Sequence, residues 1–130
     1  MSLPTITRAA SGTPSVDFAG AVKPEDLVVE VLEAGTGAPV VERQSITVHY
    51  TGWLWDGKKF DSSWDRGESI SFVIARGSLI DGWVDGLVGQ PVGSKVLLVV
   101  PPAAGYGNRP VGPIPAGSTL VFAVDIIDAK

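Results

Sequence analysis

Five aromatic residues and a group of carboxylates are the side chains of this sequence best equipped for chemistry. Tyr50, Phe60, Trp83, Tyr106 and Phe122 are scattered along the chain. Large aromatics usually build core, because each buries a wide apolar area. Tyr50 and Tyr106 also carry hydroxyls that need a partner or solvent, which suits the rim of a cavity. Residue types alone lean toward core and leave a ligand pocket open. The carboxylates Asp56, Asp61, Asp65 and Glu68 crowd one stretch. A glycosidase would need two of them across a sugar cleft, one as acid and one as base. A calcium loop would need alternating oxygen ligands, a glycine at the turn and a late glutamate, a pattern that Phe60, Ser62, Ser63, Trp64 and Arg66 interrupt. The plainer reading is a solvated loop with turn-forming aspartates.

Other chemistries lack their residues. The one histidine, His49, lies mid-strand, and no Gly-x-Ser-x-Gly elbow accompanies it. With no cysteine and no His-Glu-x-x-His run, the common zinc sites and disulfides have no ligands, and no glycine loop leads into a Lys-Ser/Thr pair that would cradle phosphate. No metal or cofactor is therefore expected. A net charge of −4 argues against a nucleic-acid partner, which needs a basic face. Lys58-Lys59 is the only basic doublet and follows a turn signal. No apolar run is long enough to span a bilayer, so no membrane contact is expected either.

The elements that must position these residues are short. The 130 residues point to one domain, and 16 glycines with 10 prolines point to many turns. Residues 1–23, rich in Ser, Thr, Ala, Gly and Pro, read as a flexible N-terminal arm that Val16 and Phe18 could tack onto the domain, which then covers 24–130. Leu27–Leu32 reads as a strand. In Ser45–Trp55, Ile46, Val48 and Tyr50 alternate with Thr47, His49 and Thr51, the pattern of a half-buried strand, and Asp56-Gly57 follows as a hairpin-type turn. Ile70–Ile74, Lys95–Val100 and Thr119–Asp128 read as further strands. Leu79, Ile80, Trp83, Val84, Leu87 and Val88 recur at spacings of three and four, which predicts one amphipathic helix with Asp81 as its N-cap or first-turn acid and Gly89 and Pro91 as its stop. The expected fold is α+β, a five-stranded antiparallel sheet wrapped on one short α-helix.

Several motifs follow one another in order. Val48-His49-Tyr50-Thr51-Gly52, then Asp56-Gly57-Lys58-Lys59-Phe60-Asp61-Ser62-Ser63, then Ile80-Asp81-Gly82-Trp83 with Gly86-Leu87, Val92-Gly93-Ser94-Lys95, Gly105-Tyr106-Gly107, Ile114-Pro115 and Thr119-Leu120-Val121-Phe122 resemble the FKBP-type peptidyl-prolyl cis-trans isomerases, in register from about Pro24 onward. The resemblance implies a catalytic pocket of Asp61, Tyr106, Phe60, Trp83 and Phe122, floored by Trp83. It implies substrate or inhibitor contacts from Tyr50, Arg66, Ile70, Leu79, Ile80 and Ile114. It implies proline-containing polypeptides as substrates, macrolides such as tacrolimus and rapamycin as inhibitors, and a monomer. Three positions depart from the family pattern: Ile70 stands where many members have an aromatic wall residue, Ser78 where many have an acid, and Ala104 where a tyrosine is common.

Two other readings compete. One is a proline-peptide binding or chaperone module with weak turnover. The other is a carbohydrate-binding domain using Trp53, Trp55 and Trp64. The expected location is cytoplasmic if the chain is complete and extracytoplasmic if it is a piece of an exported protein.

Overall fold

The computed structural model describes residues 3–130, so Met1 and Ser2 of the expected arm lie outside the described residues. Among the described residues, eight strands and two α-helices follow in order: β1 Thr5–Arg8, β2 Pro14–Asp17, β3 Val28–Glu33, β4 Ser45–Leu54, β5 Lys59–Ser62, α1 Ser63–Arg66, β6 Ile70–Val73, α2 Asp81–Leu87, β7 Lys95–Val100 and β8 Leu120–Ala129. A 3₁₀ turn, Pro102–Ala104, precedes the loop that carries Tyr106.

The main sheet is antiparallel and runs β3-β7-β8-β4-β5, with β6 also on β4. The α+β class is as expected, but the sheet has six strands instead of five. The reason is the length of β4. Its ten residues pair with β8 along one edge, while on the other edge the first half takes β6 and the second half takes β5. The chain reaches β5 through the tight turn at Asp56-Gly57, where Leu54 N–H donates to Lys58 O at 2.8 Å and Gly57 N–H to Leu54 O at 2.9 Å.

Both faces of this sheet are buried, and the sequence of β7 shows it. Val96, Leu98 and Val100 face the main core with Trp83, Val84 and Leu87 of α2, while Leu97 and Val99 face the opposite side. A strand covered on both sides needs no polar alternation. Helix α2 reaches the sheet closely because its inner positions are glycines. A Cβ on Gly82 would stand 2.7 Å from Val100 Cγ1, and one on Gly86 2.5 Å from Leu98 Cδ2. Asp81 is the helix's first-turn acid, and the N-cap is Ile80, whose carbonyl accepts from Trp83 N–H at 3.0 Å.

The opposite face of the sheet is covered by the segment expected to form a flexible arm. There β1 and β2 pair antiparallel, with Ile6 opposite Val16. Leu3, Ile6, Val16 and Phe18 pack on Trp53, Leu97, Val99, Val121 and Ala123. This second small sheet was hidden in the sequence because TITR and PSVD are short and largely polar.

Candidate active site

The pocket forms where the elements meet at one end of the sheet. Strand β4 brings Tyr50, β5 brings Phe60 and Asp61, and β6 brings Phe72. Trp83 comes from the first turn of α2, Phe122 from β8, and Gly77 to Ile80 and Tyr106 from the flanking loops. Together they enclose a cavity of about 390 Å³, within the range of small-ligand sites.

Trp83 is nearly fully buried and lies at the centre of the aromatic wall. Tyr50, Phe72 and Phe122 meet its ring edge-on, with centroid separations of 5.2, 5.7 and 5.4 Å. Phe60 stands perpendicular to Phe122 at 5.7 Å. Edge-to-face pairs of this kind are worth about 0.5–1.5 kcal/mol beyond their area burial, so the wall is fixed by its own rings.

Polar groups occupy the opposite edge. Tyr50 Oη donates to one oxygen of Asp61 and Arg66 Nη1 to the other, which also accepts from Ser62 N–H at 2.9 Å. The guanidinium of Arg66 sits 6.0 Å from the Tyr50 ring centroid. Burial of Asp61 opposes ionisation, but the hydrogen bonds from Tyr50 and Arg66, the Arg66 charge and the Ser62 N–H outweigh it and hold the carboxyl below its ordinary range. Burial, reinforced by the hydrogen bond to Asp61, pushes Tyr50 up to about 12. Tyr106 is also raised, by burial and then by the Asp61 charge. At neutral pH the site therefore presents one carboxylate and two neutral phenols.

A depressed carboxyl stabilises the fold above its unfolded pKa of about 4 and loses that contribution as pH falls through the lower folded value. Activity and stability that depend on ionised Asp61 are expected to be level from neutrality to about pH 5 and to fall below about pH 4. Tyr50 acts at the other extreme, contributing fully below pH 10 and ceasing only as pH rises through about 12. A pH–rate profile with parallel thermal unfolding checks this. A loss of activity centred near neutrality would contradict it.

A family model described as FKBP-type peptidyl-prolyl cis-trans isomerase matches residues 37–127. The chain belongs to that family. It is 44% identical over 108 residues to FK506-binding protein 1A of Neurospora crassa, covering 82% of this chain and 90% of that protein. It is 43% identical over 102 residues to the FK506-binding protein of Neisseria meningitidis, covering 78% of this chain and 94% of that one. FkpA of Escherichia coli is 44% identical over 104 residues, which are 80% of this chain and 38% of FkpA. The crystal structure of FkpA superimposes with a TM-score of 0.76 at 38% identity, over 96% of this chain and 51% of that one. The chain thus spans nearly the whole of some FKBP relatives and from about two fifths to half of the longer FkpA.

Of the residues assigned to the FKBP pocket from sequence, Tyr50, Phe60, Asp61, Leu79, Ile80, Trp83, Tyr106 and Phe122 line the cavity. Arg66 is not on the lining and stands behind two residues that are, Asp61 and Tyr50. Ile70 and Ile114 are not on the lining: Ile70 packs against the core, and Ile114 is one of its buried members. Sequence reasoning missed Gly77 and, more consequentially, the ring of Phe72. Phe72 lies on the same face of β6 as Ile70, two positions on, and the period of two was the available signal. Ser78 is on the rim, while Ala104 packs against the core beside the loop that carries Tyr106.

The remaining carboxylates and tryptophans have local roles. Asp56 Oδ1 accepts from Lys58 N–H at 2.9 Å in the turn, and Asp65 pairs with Lys59 at 2.6 Å. Trp53 is buried under the N-terminal hairpin, Trp55 meets Phe18 edge-on at 5.1 Å, and Trp64 stacks on His49 at 4.1 Å. None is an exposed platform for a sugar.

Proposed function

We propose that this pocket accelerates rotation about X-Pro peptide bonds by favouring the twisted amide. The observation that carries this reading is the ring of Trp83 set among three aromatic edges, in a cavity open beside Asp61 and Tyr106. Amide resonance imposes a barrier of about 18–20 kcal/mol. The cis and trans X-Pro forms differ by only about 0.5–1 kcal/mol, so both are populated and exchange is slow. No bond is broken, so a nucleophile or proton shuttle is unnecessary. The site has only to bind the twisted form better than the planar one.

Planar amides owe their stability to charge separation, which water solvates and an aromatic wall does not. Trp83, Phe60, Phe72 and Phe122 hold the proline ring and keep water out. The Tyr106 hydroxyl and the backbone at Ile80 hold the flanking peptide. Asp61, set by Tyr50 and Arg66, faces the rotating carbonyl. Leu79 extends the apolar rim. The substrates are proline-containing polypeptides, and macrolides such as tacrolimus and rapamycin compete for the same cavity. We read the protein as a monomer, a reading supported by the hairpin that covers the back of its sheet.

A protease-coupled assay with a proline peptide tests this. The expected result is a rate constant that rises with protein concentration and returns to the uncatalysed value when a macrolide is added. Tight peptide binding without acceleration would overturn turnover and leave a proline-peptide binding module.

A further inference from the structure

We propose that the N-terminal hairpin is a clamp that positions the Asp61 edge of the pocket, acting through Trp64. The proposal rests on the isomerase reading above and goes beyond it, to residues outside the cavity and to a segment upstream of the matched family region.

The clamp has two fixed points. At the first, Arg8 of β1 meets Asp125 of β8: Nη1 donates to Oδ2 at 2.9 Å, and Nη2 lies 2.8 Å from Oδ1 as a charge contact without hydrogen-bond geometry. The two side chains are only 20% and 14% exposed, so solvent screens this pair less than an ordinary surface pair. Arg8 Nη1 also donates to Gly12 O at 3.2 Å, which fixes the hairpin turn. At the second, that turn lies on Trp64: a Cβ on Gly12 would stand 3.0 Å from the indole Cη2.

Trp64 passes the contact inward. Its ring also stacks on His49, with the rings 4.1 Å apart and 18° from parallel. His49 is the ladder partner of Asp125, and its Nδ1 lies 2.8 Å from Ser63 Oγ. Ser63 Oγ in turn accepts from Tyr50 N–H at 2.8 Å. Ser63, Trp64 and Arg66 all belong to α1, a helix of four residues. A single turn cannot sustain itself, because nucleation fixes several dihedrals for one hydrogen bond. Its placement must come from tertiary contacts, among them the stack on Trp64, the bonds of Ser63, the N-cap Ser62 held by Thr51 and the Asp65–Lys59 pair. Arg66 at the end of that turn is 43% exposed, so burial does not hold it. It is held by its ion pair with Asp61 and by the turn that carries it.

Trp64 also carries a penalty that packing alone would not require. Its indole N–H is buried with no acceptor among the described residues. Phenylalanine would fill a core site without that donor. The wide ring is used here to bridge the hairpin turn and His49.

Three variants test the clamp: Arg8→Ala, Trp64→Ala and Trp64→Phe. Asp61 and its neighbours are unchanged in each. The aromatic floor comes from β6, β8 and α2, so KM should hold while kcat falls roughly tenfold or more in Trp64→Ala and less in Arg8→Ala. Trp64→Phe keeps a ring to stack on His49 but lacks the Cη2 edge that meets Gly12, so it should recover kcat only in part. The groups facing Asp61 are Tyr50, Arg66 and Tyr106, and a loosened Arg66 should move the NMR titration midpoint of the Asp61 carboxyl upward. That second readout is independent of turnover. If the wild-type chain proves inactive, the isomerase reading falls and the carboxyl midpoint alone decides the clamp. If Trp64→Ala does not fold, Arg8→Ala supplies both readouts. Unchanged kcat and unchanged midpoint in folded variants, or a Trp64→Phe as impaired as Trp64→Ala, would overturn the clamp.

Discussion

Replacing Trp83 by alanine is expected to abolish measurable isomerisation and to lower stability by about 3–5 kcal/mol, the usual range for emptying a buried aromatic site. Trp83 is 4% exposed, touches three aromatic rings and sits on a helix packed against β7 through two glycines. A domain of this size has about 5–15 kcal/mol in total, so the variant should remain folded at low temperature and melt much earlier. Trp83→Leu separates the two effects. Leucine fills part of the volume and restores part of the stability, but offers no flat floor to the proline ring. Its kcat/KM should stay about a hundredfold below wild type, which corresponds to about 3 kcal/mol of lost transition-state binding. Isomerisation kinetics beside urea unfolding give both numbers. Wild-type turnover in a folded Trp83→Leu protein would mean that the catalytic cavity lies elsewhere.

The second large effect is expected at Gly52, a residue with no side chain to lose. Gly52 pairs with Asp61 of β5 on one side and Phe122 of β8 on the other. A Cβ there would stand 2.5 Å from Phe60 Cζ and 3.0 Å from Phe122 Cε1. Alanine must therefore displace the Phe60 ring, strain β4, or both. Strain in a packed core costs about 1–3 kcal/mol. Displacing Phe60 relieves that strain by breaking the Phe60–Phe122 pair that walls the pocket. Gly52→Ala should thus lose either stability or activity, and Gly52→Val both. Denaturation and turnover measured on the same preparation test this. Normal values for both would show that the wall is softer than its packing implies.

The parts of this fold legible in the sequence are those where one period dominates. Alternation marked β4 and β8, spacing of three and four marked α2, and the unbroken apolar run of β7 marked a central strand. The parts that escaped lack such a signal. The strands β1, β2 and β5 have four residues each, and α1 is a single helical turn, so their contacts come from distant segments. The site divides in the same way. Residue types alone could not separate pocket from core for Trp83 or Phe122, because both are buried aromatics in either case. The ordered motifs supplied that distinction. They also drew attention to Ile70, while Phe72 two positions later is the ring that meets Trp83. Which of two inward residues on one strand reaches a cavity depends on the position of the strand, and local pattern does not encode it.

The placement of β8 bears on how this molecule comes into being. Residues 120–129 follow every other strand of the sheet in chain order, yet they lie in the middle of the sheet, between β7 and β4, and bring Phe122 to the pocket. Until that segment is available, β3 with β7 and β4 with β5 and β6 are two separate fragments with open edges, the kind of surface that invites mispairing. The sheet therefore closes in one late event dominated by long-range contacts, which is intrinsically slow. Deleting residues 120–129 would remove the keystone of the sheet instead of trimming its margin. An emerging chain would have no working pocket until the last strand arrives.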